Sequence, residues 1–116
     1  MKAPTKLSEA PLVAETAQLT PVSGITLGNP IIYKIGKLCV ISTAVTPSSE
    51  KNFTNFYITE SWPTGFNPSG PNPSAMLATS SNSITGKADF YKDTGIKINT
   101  TGSVTWLNLV GFYICE

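Results

Sequence analysis

The chain of 116 residues contains no histidine and no arginine, and each absence excludes a class of function. Histidine is the commonest general base and metal ligand, so neither a Ser-His-Asp nor a Cys-His arrangement can form. Without arginine there is no planar guanidinium to bind carboxylates or phosphates through paired hydrogen bonds. We therefore expect no catalytic residue, no metal site and no enzyme activity.

Charge of either sign is also scarce, at 13% of the residues against roughly 25% in ordinary soluble domains. Eight lysines and seven acidic residues leave a net charge of +1, so there is no basic surface to hold nucleic acid. The acidic residues could supply a glycosidase pair, yet a β domain of this size seldom builds the necessary cleft. Nucleotide-, redox- and calcium-binding motifs are missing too. We expect neither a cofactor nor a nucleic-acid partner.

Long hydrophobic runs are missing as well. The first ten residues lack the apolar run of a signal peptide, and no stretch approaches the roughly 20 apolar residues of a membrane span. We expect a soluble protein that does not insert into a membrane. The two cysteines, Cys39 and Cys115, lie inside apolar segments, which favours buried thiols over a disulfide or a redox motif.

Short β-rich segments separated by turn residues are what the sequence does contain. They are GITL (24–27), IIYKI (31–35), LCVISTAV (38–45), FTNFYITE (53–60), AMLAT (75–79), ITGKADFY (84–91), GIKIN (95–99), SVTWLNL (103–109) and GFYIC (111–115). Gly36 predicts a type II′ hairpin, and Gly102 predicts a second hairpin. The pattern is typical of an all-β fold, an antiparallel β-sandwich or jelly-roll-like barrel of short strands.

The beginning of the chain differs from this pattern. Residues 11–19 are compatible with a short helix or with an entry strand. We expect residues 1–16 to be a lead from an upstream segment and residues 17–116 to form one β domain.

Two large aromatic residues lie in SWPTGFNPSG (61–70), where proline and glycine exclude regular structure. Pro63 fixes φ and Gly65 permits a turn that other residues resist, so Phe66 can fold back as a plug at the end of the barrel. Trp62 is held extended by the proline that follows it. Its ring is expected either to pack within the domain or to face a neighbouring subunit or a sugar.

Strand alternation places further candidate residues outside the core. Asp89 and Tyr91 share a strand face opposite Phe90, and a ring beside a carboxylate suits the C–H face and hydroxyls of a sugar. A solvated edge strand is the alternative. Trp106 shares a face with Asn108, which predicts a subunit interface or a binding pocket, with plain packing as the alternative.

Three motifs occur in a fixed order along the chain. They are YKIGKLCVIS (33–42), WPTGFNP (62–68) and GIKINTTGSVTWLNLVGFY (95–113). Together they resemble the C-terminal head domains of tail-fibre and baseplate receptor-binding proteins of tailed phages. That family has Tyr-Arg/Lys-x-Gly-Asn before a strand, then Leu-Pro-x-Gly-Phe/Tyr-Arg-Pro, then a hairpin leading to a late Trp and a closing Tyr. This chain has Lys37 for the usual Asn, Trp62 for Leu and Asn67 for Arg.

The resemblance implies a non-enzymatic head domain at a phage tail tip or baseplate, made in the host cytoplasm, that recognises a bacterial cell-wall or surface polysaccharide. It also implies a homotrimer, and apolar residues on both faces of several strands independently favour a partner there. The competing interpretation is a structural baseplate or fibre cap that docks another tail or baseplate protein. The carbohydrate-binding candidates are Trp62, Asp89, Tyr91 and Trp106, and the interface candidates are Trp62, Trp106 and Asn108.

Overall fold

The computed structural model of the protein describes residues 14–70, 74–78 and 84–116, and these form eleven strands without a helix. The strands are β1 (Glu15–Gln18), β2 (Ile25–Leu27), β3 (Ile31–Ile35), β4 (Leu38–Pro47), β5 (Lys51–Asn52), β6 (Phe56–Tyr57), β7 (Ser74–Ala78), β8 (Ile84–Tyr91), β9 (Gly95–Thr100), β10 (Ser103–Val104) and β11 (Leu107–Ile114). The all-β prediction is confirmed.

Every pairing between these strands is antiparallel. The main sheet has the order β1-β3-β4-β11-β7-β8-β9-β6, β2 adds to β4, and β10 pairs with β5 in a separate ribbon. The chain that follows β1 meets the chain that follows β6, because Pro21 bridges Thr59 and the Val22 N–H donates to the Ile58 carbonyl at 2.9 Å. The two ends of the sheet order are thereby tied together, an arrangement consistent with a β-sandwich.

Strict alternation along the two longest central strands builds the core. In β4 and β11, every second residue is buried, and the intervening ones are exposed except for the partly buried Ala44. The inward residues include Ile41 and Val45 from β4 and Leu107 and Leu109 from β11, all without solvent exposure. Each such side chain contributes roughly 1.5 to 3 kcal/mol by leaving water, so this period-2 pattern is the main source of stability.

The hairpin predicted at Gly36 is present. Ile35 pairs with Leu38, and Gly36 has a φ of +63° while Lys37 keeps an ordinary negative φ. A positive φ at the first loop position alone is the type II′ geometry. The hairpin therefore joins β3 to β4 as the sequence indicated.

The hairpin predicted at Gly102 is wrong, because β9 pairs with β8 and β6 whereas β10 pairs with β5. The Thr100 hydroxyl accepts the Phe53 N–H at 2.9 Å and donates to the Gly102 carbonyl at 2.8 Å. These bonds turn the chain toward β5. The single strand predicted over residues 103–109 is consequently divided into β10 and β11.

The strand predicted over residues 53–60 is also shorter than expected. Asn55 has a left-handed φ of 46°, and its N–H donates to the Asn99 side-chain oxygen at 2.7 Å. Regular pairing is therefore confined to β6. Ile58 and Thr59 are both buried rather than on opposite faces, and the Thr59 hydroxyl accepts the Ile96 N–H at 3.1 Å.

The first described strand, β1, lies at the predicted boundary between lead and domain. β1 pairs with β3 from Glu15 opposite Lys34 to Gln18 opposite Ile31, so residues 15–18 take the entry-strand alternative. The sheet thus begins two residues before the predicted start at residue 17. The rest of the predicted lead, residues 1–13, lies outside the described residues.

Gly95 lies at the β8–β9 turn, and we expect its replacement by alanine to be strongly destabilising. Its φ is +137°, and an added methyl group would overlap the Thr59 carbonyl oxygen. Gly95→Ala should lower the free energy of unfolding by about 3 kcal/mol, from strain and steric overlap together. Urea denaturation measures the loss. Gly102→Ala is the matched control, since that site has a negative φ and no atom within 4 Å; equal losses in both variants would contradict the analysis.

Candidate functional site

Residues 61–70, here called the aromatic loop, close one end of the core. Trp62 is only 8% exposed, with its ring centroid 5.3 Å from Tyr113 and 6.1 Å from Phe90. Its indole N–H donates to the Tyr91 carbonyl at 2.6 Å. Of the roles expected for Trp62, the structure favours packing within the domain, because the ring and its donor are both engaged inside the protein.

Phe66 is buried in the core as predicted. Gly65 has a φ of +87°, and the Phe66 N–H donates to the Pro63 carbonyl at 3.0 Å, which forms the turn. The Lys34 ammonium lies 4.8 Å from the Phe66 ring centroid and donates to the Gly65 carbonyl at 2.7 Å. The Tyr113 hydroxyl donates to the Phe66 carbonyl at 2.7 Å. The loop is thus anchored through both its backbone and its rings.

Asn67, which stands where the resembled family has arginine, also has a structural contact. Its side-chain amide donates to the Lys92 carbonyl at 2.8 Å, and its carbonyl accepts the Glu116 N–H at 3.0 Å. The Lys92 ammonium lies 2.9 Å from the Glu116 carboxylate, and this hydrogen-bonded pair raises the pKa of Lys92. This corner of the protein joins the aromatic loop to the β8–β9 turn and the chain end.

A row of polar and aromatic residues crosses the outer face of β8, β9 and β6. Asp89 lies opposite Lys97, and Lys97 lies opposite Tyr57. Tyr91 follows on the same face of β8 as Asp89, while Phe90 between them is buried. The alternation predicted for Asp89 and Tyr91 is confirmed. We call these four residues, Tyr57, Asp89, Tyr91 and Lys97, the tyrosine shelf.

The two tyrosine rings of the shelf lie side by side and are half-buried. Their centroids are 6.1 Å apart at an interplanar angle of 54°. The Lys97 ammonium lies 4.8 Å from the Tyr91 ring centroid, and a hydrogen bond to the Tyr91 side chain raises the pKa of Lys97. The ordinary pKa of lysine is already far above neutral pH. Lys97 is therefore a cation beside the rings, and the raised pKa reinforces this state.

A shallow groove of about 270 Å³ opens beside the shelf and is lined by Tyr57, Glu60 and Thr94. The Thr94 hydroxyl donates to the Tyr57 hydroxyl at 3.4 Å. This volume lies just under the roughly 300 Å³ at which small-molecule pockets begin. The groove suits one ring-sized group with hydroxyls rather than a large enclosed substrate.

Asp89 is more buried than a residue on a solvated edge strand, which was the alternative suggested by the sequence. Its side chain is 14% exposed, and its carboxylate lies 3.7 Å from the Lys87 ammonium. Lys97 adds a second cation directly across the strand pair. The carboxylate therefore lies near two lysines and is largely buried.

The structure separates the two remaining candidates. Trp106 is half-buried between β10 and β11, and β10 pairs with β5 rather than with the strands of the shelf. Asn108 is exposed on the outer face of β11. The strand face predicted to carry both residues does not exist, because the chain leaves regular pairing before Trp106.

Sequence reasoning missed Tyr57 and Lys97. Lys97 alternates with the buried Ile96 and Ile98, so a hairpin from Tyr91 to Gly95 would have placed it opposite Asp89. That turn of three residues was the available signal. Nothing local indicated Tyr57, because β6 joins β9 across a long stretch of sequence.

A second outer surface is apolar. On β3, β4 and β11 the side chains that face away from the core include large hydrophobic ones, which we call the apolar face. They are Tyr33, Ile35, Leu38, Val40, Val110, Phe112 and Ile114. Phe112 is 69% exposed. A surface of this kind is typical of a protein contact rather than of a small polar ligand.

The two cysteines lie in the core rather than at either surface. Cys39 and Cys115 are free and buried, as predicted, and burial raises the pKa of the Cys39 thiol to about 11, so it is not a nucleophile at neutral pH. Over residues 14–70, 74–78 and 84–116, no three potential ligands come together to hold a metal ion. In the same part of the chain, no helix is long and apolar enough to cross a membrane.

Comparison with protein-family models, curated proteins and solved structures gave no match for this chain.

Trp62 and Trp106 should differ sharply in their contribution to stability. Trp62→Ala removes a buried ring and leaves the Tyr91 carbonyl without its donor, so we expect a loss of about 3 to 5 kcal/mol in the free energy of unfolding. Trp106→Ala, at a half-buried site outside the strands, should lose about 1 kcal/mol. Denaturation followed by circular dichroism compares the two. A smaller loss for Trp62→Ala than for Trp106→Ala would contradict the assignment of Trp62 to the core.

Proposed function

We propose that this protein is a receptor-binding head domain of a phage tail tip or baseplate, and that its tyrosine shelf recognises a bacterial cell-surface saccharide. The observation that carries the proposal is the pair of tyrosine rings, Tyr57 and Tyr91, beside Lys97 and a shallow groove. The ordered motifs that resemble phage head domains support the same function. In this proposal the sandwich is a jelly-roll barrel and three copies form the head.

The chemistry of the shelf suits a sugar in two respects. Half-exposed tyrosine rings offer apolar surface to the C–H face of a pyranose, with a polar hydroxyl at the edge. Lys97 supplies hydrogen-bond donors, while Asp89, Glu60 and Thr94 supply acceptors for sugar hydroxyls. Lys87 and Lys97 would also attract the phosphate groups of a cell-wall polymer as point charges.

The shallow groove implies weak binding by each site. A groove of about 270 Å³ that is open on one side buries little of a ligand, and a weak site needs repetition to hold a cell. Three copies in a head, and many heads on a virion, would raise the overall affinity by a factor of 10² to 10⁴ (order-of-magnitude range) without new contacts. Adhesion without catalysis is the mechanism we propose.

A second candidate function is a structural cap that docks another tail or baseplate protein. The exposed apolar face favours this alternative, because it is larger and more hydrophobic than a saccharide site requires. Affinity capture with the purified neighbouring tail proteins discriminates between the two functions. A structural cap would bind one of those proteins and leave host cells unlabelled.

Substitutions in the shelf should weaken saccharide binding without unfolding the protein. With the best ligand from an array of bacterial surface glycans, Tyr57→Ala and Lys97→Met should each lower affinity by about tenfold, the effect of losing one significant contact. Saturation-transfer NMR and titration calorimetry measure the affinity. Lys37→Met is the matched control, since Lys37 is exposed in the β3–β4 turn away from the shelf. Failure of the assembled wild-type protein to bind any glycan or host envelope fraction would refute the function.

A further inference from the structure

The apolar face forms a regular grid across three neighbouring strands. In one row Tyr33 lies opposite Val40, and Val40 lies opposite Phe112. The next row joins Ile35, Leu38 and Ile114 in the same way. Val110 is 59% exposed and extends the face along β11. The exposed hydrophobic side chains are therefore contiguous rather than scattered.

The size of this face is close to that of an interface. From the fractional exposures, the seven side chains present about 600 Å² to solvent, the upper end for the largest apolar patch on a monomer. A stable protein interface buries about 800 Å² on each partner, including a polar rim. The seven apolar side chains alone therefore account for about three quarters of that area.

The residues around the face supply such a rim. Thr16 and Gln18 border it on β1, Ser42 and Thr46 continue β4, and Asn108 lies at the start of β11. All five are exposed and uncharged. An apolar centre bordered by polar residues is the usual composition of a contact between protein subunits, and the border here also includes the exposed Lys37 and Glu116.

We propose that the apolar face is covered by the same face of further copies of this chain. Apolar sheet faces of several copies can pack against one another around a symmetry axis. The other outer sheet surface in the described part of the chain, around the tyrosine shelf, carries lysines and a carboxylate that would be desolvated by such a contact. An uncharged face meets its own copy without repulsion.

Two other occupants are less suitable. Residues 1–13 of the same chain contain Pro4 and Pro11, which interrupt a strand, and Lys2, Lys6 and Glu9, which would be buried as charges. A different protein would need a matching uncharged surface that nothing in this chain specifies. A second copy of the chain carries such a surface, because it has the same apolar face.

This inference deepens the proposed function, because it names the surface through which the proposed trimer assembles, and only the number of copies rests on that proposal. The contact between apolar faces stands without the saccharide site. If the wild-type protein is oligomeric but binds no saccharide, the proposed function is refuted and the inferred interface still stands.

The test introduces a charge into the centre of the face of the full chain. Phe112→Glu and, separately, Val110→Glu should weaken self-association by at least about thirtyfold, as for a central interface residue. Thr46→Glu is the matched control, since it adds the same charge on the same face of β4 but at the rim. Sedimentation equilibrium gives the association constant, and circular dichroism with urea denaturation verifies that each variant is folded.

The expected result is an oligomeric wild-type protein, an oligomeric Thr46→Glu variant and folded monomers for the two central variants. A monomeric wild-type protein at micromolar concentration would overturn the inference, as would oligomers that persist in both central variants. A variant that lacks residues 1–13 tests whether these residues, rather than a second copy, cover the apolar face. If the full chain is monomeric and only the deletion variant binds a hydrophobic dye, the chain's own beginning covers the face, and the inference is wrong.

Discussion

Burial of the Tyr113 hydroxyl is the constraint on which the remaining structure depends. Tyr113 points inward from β11, and burial raises the pKa of its hydroxyl, which therefore stays protonated and needs an acceptor inside the core. The Phe66 carbonyl supplies it at 2.7 Å. Because that acceptor belongs to the aromatic loop, the loop must fold back over the core. Trp62 is carried in with it and fixes the Tyr91 backbone through its indole N–H. A residue of the shelf is thus positioned from within the core.

The strand β11 shows how one short sequence serves two surfaces. Leu107, Leu109 and Tyr113 point into the core, whereas Phe112 and its outward neighbours form the apolar face. Inward apolar residues are explained by folding of a single chain. Outward ones are not, because exposing a contiguous apolar area to water has no benefit for a monomer. The alternation that predicts the strand therefore also indicates a hydrophobic surface that folding of a single chain does not bury.

Local sequence patterns predicted the strand faces and the hairpin that depend on neighbouring residues. They did not predict the contacts between residues that are distant in the sequence. Alternation correctly placed Asp89 and Tyr91 outside and Phe90 inside, and Gly36 correctly predicted its hairpin. The packing role of Trp62 could not be selected from the sequence because its acceptor, the Tyr91 carbonyl, lies 29 residues away. The turn at Gly102 failed for the same reason: the bonds that redirect the chain come from Phe53. Tyr57 joins the shelf only through the pairing of β6 with β9.

The positions of the two surfaces in the sheet make them compatible. The apolar face lies on β3, β4 and β11, the shelf lies on β8, β9 and β6, and β7 separates the two sets in the sheet order. Assembly through the first surface therefore need not cover the second. A weak shallow site gains from repetition only if every copy keeps its site open. Segregating apolar residues on one set of strands and polar aromatic residues on the other satisfies that requirement, whereas mixing them would make assembly and ligand binding compete for the same area.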